Sequence, residues 1–148
     1  MKVQGVNRVY IVVRDLDKAV AFYSKLLGAT FNDAKVEGKF GVRATLSWDA
    51  GIEMLSPLPG SNSPWAMAME QFLEKSGGGL FGVAFSVSSA DEARARAEGM
   101  GLGVTLLEFN PDEIKQHFQD RFKIFKEYIL NPEDAFGVSL TMVQIEPK

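Results

Sequence analysis

Two charged side chains stand where a strand pattern asks for apolar ones. Arg8 interrupts the run Val6–Val13 (VNRVYIVV), and Glu53 sits between Ile52 and Met54 in the short run Ile52–Leu55. A guanidinium grips a carboxylate, phosphate or enolate oxygen through two parallel hydrogen bonds. A carboxylate whose pKa is raised by burial serves as a general base. The other chemistry-bearing residues are few. There is one histidine, His117, and no cysteine. Catalytic zinc, iron and nickel sites mostly use two or more imidazoles, so a single histidine leaves a carboxylate-rich site or no transition metal. Disulfides and thiolate metal sites are excluded outright.

The chain that must position these residues has 148 residues, 46% hydrophobic and 24% charged, with a net charge of −3. Those values describe one globular domain with a single core. The acidic balance argues against a nucleic-acid partner, which needs a basic face. No apolar run approaches the ~18 residues of a membrane span, and the start MKVQGVNR lacks a signal peptide's apolar segment. A cytoplasmic protein is the expectation.

Asn7–Val13 reads as a strand with Arg8, Tyr10 and Val12 on one face and Val9, Ile11 and Val13 on the other. Asp15 is placed to cap a helix whose apolar stripe is Leu16, Ala19, Val20, Tyr23, Leu26 and Leu27, with Gly28 as its stop. Ala29–Val36 and Gly41–Trp48 are expected as strands joined at Glu37-Gly38-Lys39, and Ile52–Leu55 as a third strand after the turn Asp49-Ala50-Gly51. The Pro/Ser-rich stretch Pro57–Pro64 is a linker, and Ser63-Pro64 opens a helix over Trp65–Lys75. The run Gly77–Gly79 is no phosphate loop, because no Gly-Lys-Ser/Thr follows and a strand comes next.

The order then restarts. Leu80–Val87 is a strand and Asp91–Glu98 a helix. At a constant offset Val9 matches Val83, Val13 matches Val87, Asp17 matches Asp91, Ala19 matches Ala93 and Ala21 matches Ala95. With the same strand–helix order, this is an internal duplication. Gly103–Glu108, Phe122–Leu130 and Gly137–Ile145 are the remaining strands. Asn110-Pro111-Asp112-Glu113 has the form of a capping box, opening an inserted helix to about Arg121. The predicted fold class is α+β: two tandem βαβββ modules, residues 6–57 and 79–146 with a linker and helix at 58–78, forming one curved mixed sheet around a central cavity.

Three blocks carry a family likeness: RVYIVVRDLDKAVAFYSKLLGATF at 8–31, GIEMLSPLPGSNSPWAMAMEQFLEKSGGGLFGVAFSV at 51–87, and NPEDAFGVSLTMVQ at 131–144. Together they resemble the vicinal oxygen chelate superfamily of glyoxalases, bleomycin-resistance proteins and extradiol dioxygenases, most closely its methylmalonyl-CoA epimerase branch. The likeness spans nearly the whole chain except the insertion around Asn110–Arg121. The family's metal site takes one ligand from each of four strands. By this resemblance, its first histidine falls on Arg8, its glutamate or glutamine on Glu53, its second histidine on Gly82 and its final glutamate on Thr141. Only Glu53 is retained. Arginine has no lone pair to offer, glycine has no side chain and threonine is a poor ligand. The resemblance implies the fold, and the residues argue against the family's metal chemistry.

Two readings of these positions stand side by side. In one, Arg8 and Glu53 form a buried ion pair that fills the metal's place. In the other, Arg8 supplies the positive charge for a ligand and Glu53 is its base, Gly82 leaving room for part of the ligand or simply for bulky neighbours such as Tyr10 or Phe81. Tyr10 and Thr141 are expected to face the same cavity. Tyr128 shares a strand face with Lys126 and is a ligand-binding candidate if that face turns inward. Trp48 and Trp65 are expected as core or interface residues, and His117 as a surface residue of the inserted helix. The expected function is metal-independent, cofactor-free binding of a small anionic or aromatic molecule. The alternative is an epimerase, isomerase or lyase in which Arg8 and Glu53, or a metal held by other residues, serve proton transfer next to a carbonyl. The resemblance also implies paired chains.

Overall fold

The computed structural model describes all residues, Met1–Lys148. The chain divides into two units, Arg8–Phe81 and Met1–Asn7 together with Gly82–Lys148. The fold is α+β, and the same topology is built in each unit.

In the first unit, the end of β1 (Val3–Val12), from Arg8 on, leads through the cap Asp15 into α1 (Leu16–Leu27). The Asp15 carboxylate accepts from the Lys18 amide at 3.0 Å, satisfying one of the helix's orphan donors. Gly28, at φ 65°, closes the helix in the left-handed conformation that glycine adopts without strain. The chain continues through β2 (Asn32–Ala34), α2 (Glu37–Phe40), β3 (Val42–Ser47), β4 (Ile52–Pro57) and α3 (Pro64–Ser76). The strand order is β2-β3-β4-β1. β1 and β4 are parallel, with Val9 opposite Ile52 and Tyr10 opposite Glu53, and the other two pairings are antiparallel. Ile11, Leu16, Ile52 and Met54 form a core beneath α1, joined by Val9, Val13, Ala19, Val20 and Tyr23. That assigns one face of the strands to the helix. The alternate residues, Arg8, Tyr10 and Glu53, take the other face.

The second unit contains β5 (Gly79–Val87) from Gly82 on, α4 (Ala90–Gly99), β6 (Val104–Glu108), α5 (Pro111–His117), β7 (Phe122–Leu130), a 3₁₀ turn (Pro132–Ala135) and β8 (Ser139–Pro147). Its strand order is β5-β8-β7-β6, again with one parallel pairing, β5 with β8, and two antiparallel ones. Ala84 lies opposite Thr141, as Tyr10 lies opposite Glu53. Arg8 and Gly82, and Glu53 and Thr141, are therefore equivalent positions of the repeat.

Several local expectations give way. The segment joining β2 to β3 is a helical turn, not a hairpin tip, because Phe40 is buried there against the Trp65 ring. Leu26 and Leu27 are exposed, since Leu16, Ala19, Val20 and Tyr23 complete the packed stripe of α1. The capping box forms as expected, with the Glu113 amide donating to Asn110 and the Asn110 amide to Glu113. However, α5 ends at His117, and Gln119 and Asp120 follow at positive φ. His117 is buried, not superficial. Its ring stands edge-on to Phe109, and its Nε2 lies 3.8 Å from a Glu113 carboxylate oxygen. Packing of α5 on β7 draws that residue inward.

Candidate functional site

The first unit brings Arg8 and Glu53 together. Arg8 Nε donates to Glu53 Oε1 at 2.7 Å. Arg8 is 3% exposed and the Glu53 side chain 13%. Neighbouring strands in register place the two groups, because Glu53 lies opposite Tyr10, the next residue on Arg8's face of β1. The guanidinium is also bracketed by two rings. Its Cζ lies 5.3 Å from the Tyr10 ring centroid and 5.8 Å from that of Trp48, within the range of cation–π attraction. Trp48 therefore belongs to the Arg8 cluster, whereas the half-buried Trp65, in the first turn of α3, packs edge-on against Phe40.

Trp48 opens the tight turn between β3 and β4, whose main chain is firmly tied. The Gly51 amide donates to the Ser47 carbonyl and the Val9 amide to the Gly51 carbonyl, both at 2.9 Å. The Asp49 carboxylate accepts from the Ser47 hydroxyl and from the amides of Thr30 and Ala50. The Ser47 hydroxyl in particular, with those amides, holds the Asp49 carboxyl below its ordinary range.

In the second unit, Thr141 is fully buried and its hydroxyl meets no hydrogen-bond partner. Glu127, on the neighbouring β7, lies opposite Val143 and shares Thr141's face, since Ile129 is the residue opposite Thr141. It is 5% exposed. Sequence reasoning passed over it, although its signal matched that of Arg8: a charge alternating with apolar residues, here Phe125 and Ile129.

Tyr128 takes the opposite face. Its hydroxyl donates to Asp91 Oδ1 at 3.1 Å, and the Lys126 ammonium approaches the same oxygen to 2.7 Å. Lys126 first, then the Tyr128 hydroxyl, pulls the Asp91 carboxyl below its ordinary range, and Asp91 in turn raises Lys126. The face expected to turn towards a ligand instead anchors α4. Tyr128 is thereby separated from the side of the strands that carries Thr141.

Gly82 also differs from expectation. It does not enlarge a cavity, because β5 and β8 close on it. A Cβ there would stand 2.0 Å from the Ser139 carbonyl oxygen. Glycine allows this close backbone approach, and no histidine could replace it without moving a strand.

These observations test the metal site that the family likeness implies. Arg8 presents donors only, and one of them is spent on Glu53, the single carboxylate of the four positions. Gly82 offers no ligand and no room for one. Thr141 offers a neutral hydroxyl. No group of three histidine, cysteine or acidic side chains is placed to hold a metal ion. The residues present do not fit a divalent cation.

Two βαβββ units, each with a helix on one face and charged or polar residues on the other, define a protein of the vicinal oxygen chelate class. Comparisons with known proteins agree. The model of the Glyoxalase/Bleomycin resistance protein/Dioxygenase superfamily matches residues 7–125. Human mitochondrial methylmalonyl-CoA epimerase is 31% identical over 141 residues, which cover 93% of this chain and 72% of the relative. Among solved structures, methylmalonyl-CoA epimerase from Mycobacterium tuberculosis matches with a TM-score of 0.71 at 26% identity, covering 99% of this chain and 89% of its own. A Streptomyces coelicolor methylmalonyl-CoA epimerase variant in complex with 2-nitronate-propionyl-CoA matches with a TM-score of 0.72 at 24% identity, covering 97% and 98%. The chain belongs to the glyoxalase/bleomycin resistance/dioxygenase superfamily and is similar to its methylmalonyl-CoA epimerases. No helix is long and apolar enough to cross a membrane.

Proposed function

We propose that this protein binds a small organic anion, a free carboxylate or the carboxylate of an acyl thioester, through the Arg8 guanidinium and without a divalent metal. The observation that carries the reading is the buried cation itself: Arg8 is held at 2.7 Å by Glu53 and braced by Tyr10 and Trp48. A buried charge in a strand is costly unless paired, and here it stands at the position where the family likeness puts a metal-binding histidine. A fixed guanidinium supplies the same electrostatic service to a ligand oxygen, with bidentate geometry in place of coordination. The ligand oxygens share or replace the Glu53 contact. The ligand class is supported by solved relatives that hold 2-nitronate-propionyl-CoA and methylmalonyl-CoA. Pairing of two copies is part of the same reading and is checked by light scattering.

Calorimetric titration with methylmalonyl-CoA and with methylmalonate, with and without EDTA, tests the proposal. Binding is expected to be indifferent to the chelator and lost on Arg8→Met. Binding that vanishes with EDTA and returns with added cobalt overturns it.

A second reading is isomerase activity. It is favoured by the 31% identity to the human epimerase across 93% of the chain and by the retained carboxylate of Glu53 beside a cation, the two groups that proton transfer next to a carbonyl requires. Incubation of metal-free protein with methylmalonyl-CoA in deuterium oxide should then label the α-carbon, and Glu53→Gln should stop the exchange. Absence of labelling leaves the binding protein.

A further inference from the structure

The three groups around the Arg8 guanidinium are not held equally. Tyr10 is buried on β1, and Glu53 lies opposite it on β4. Strand pairing fixes both. Trp48 stands on the turn after β3, half-buried, its ring against the guanidinium. The main chain beneath it is tied through Ser47, Asp49 and Gly51. The indole is thus mounted on a rigid base with part of its surface in solvent, beside a cation that is only 3% exposed.

We propose that Trp48 is the specificity-determining residue of this site, selecting carboxylates that carry a flat apolar group over bare aliphatic ones. The inference rests on the reading that Arg8 holds the ligand's anionic group. An anion that engages Arg8 comes to lie beside Trp48. A bare carboxylate disturbs the cation–π contact and offers the indole nothing in exchange. A carboxylate joined to a ring lays that ring on the indole and restores a π contact. Contacts of this kind shift binding by roughly threefold to thirtyfold.

The test uses Trp65→Phe as reference protein. Trp65 packs on Phe40, and its removal leaves Trp48 as the sole tryptophan. Emission of Trp48 is followed while the protein is titrated with naphthoate or with propionate, and affinities are confirmed by calorimetry. Naphthoate is expected to perturb the emission and to bind about tenfold more tightly than propionate. In Trp48→Ala the two acids should bind within about threefold of each other. Trp48→Leu, which keeps an apolar cover without a ring, should behave like the alanine variant and controls for local collapse. The double variant Arg8→Met/Glu53→Leu, which removes the cation together with its Glu53 partner, should bind neither acid. A preference for naphthoate that survives loss of the indole, with binding still dependent on Arg8, overturns the role of Trp48 alone. Failure of both acids to bind, or binding that survives in the double variant, overturns the anion site and this inference together.

Discussion

Replacing Arg8 or Glu53 singly is expected to destabilise the protein far more than replacing both. Arg8 is 3% exposed, and its Nε lies 2.7 Å from Glu53 Oε1. Removing one partner of a buried pair strands the other charge, at a cost of about 3–5 kcal/mol. Glu53→Leu leaves the guanidinium its other contacts, the Tyr10 and Trp48 rings among them at about 0.5–2 kcal/mol each, so this variant belongs at the lower end. Arg8→Met leaves a carboxylate facing Leu46 and Tyr10 across the strand register. Leu46 offers it nothing, and the 13% exposure of Glu53 admits water to soften the loss. The double variant Arg8→Met/Glu53→Leu removes the pair together and is expected to lose less stability than either single variant. For a chain of this size, each kcal/mol moves Tm by about 2–4 °C, so the single variants should fall by about 6–20 °C and the double variant by less than either. Urea denaturation followed by circular dichroism, with slopes compared to exclude a change in cooperativity, gives the free energies. Additive effects, or single variants that each lose less than about 1 kcal/mol, would refute the reasoning, because the pair would then behave as a solvated surface contact.

Three further outcomes follow from individual contacts. Thr141→Val removes a buried hydroxyl that has no partner; relieving that desolvation should stabilise the fold by about 1 kcal/mol, read as a rise in Tm. Gly82→Ala forces a Cβ to within 2.0 Å of the Ser139 carbonyl oxygen, and separating β5 from β8 should cost about 1–3 kcal/mol or more, read as a lower urea midpoint. The Asp91 carboxyl is depressed by Lys126 and Tyr128 in the folded protein. A group depressed on folding contributes stability above its unfolded pKa and loses it as pH falls through the folded one. Asp91→Asn should therefore flatten the acid limb of the stability curve below the ordinary carboxylate range and leave its shape at neutral pH unchanged. An unaltered acid limb counts against that anchor of α4.

Much of the architecture was legible in the chain. Strand periodicity, the Asp15, Ser63 and Asn110 caps and the Gly28 stop are local signals, because each acts on main-chain groups a few residues away. The duplication was legible from Val9/Val83 and Asp17/Asp91, and the strand registers agree with it. The Arg8–Glu53 pairing was visible as two charges in apolar runs. What sequence reasoning left open or misjudged were faces and closeness. Tyr128 and Glu127 are adjacent on one strand, and only the docking of α4 decides which of them turns away from it. Gly82 looked like an opening and is a contact. Trp48 looked like core and stacks on a cation, because the turn that carries it folds back beside β1. His117 looked exposed until α5 packed on β7.

By itself the sequence determined the two βαβββ repeats and which residue types stand at the four positions that the family likeness singles out. The repeats follow from short-range periodicity, and an arginine, a glycine, a threonine and a glutamate are what they are wherever they stand. The tertiary structure alone decided how those residues meet. Strand register set Glu53 within hydrogen-bonding distance of Arg8, a turn brought Trp48 over the guanidinium, and the β5–β8 approach sealed Gly82. Those are distances between residues far apart in the chain, and they are fixed only when the strands pair and the helices choose a face.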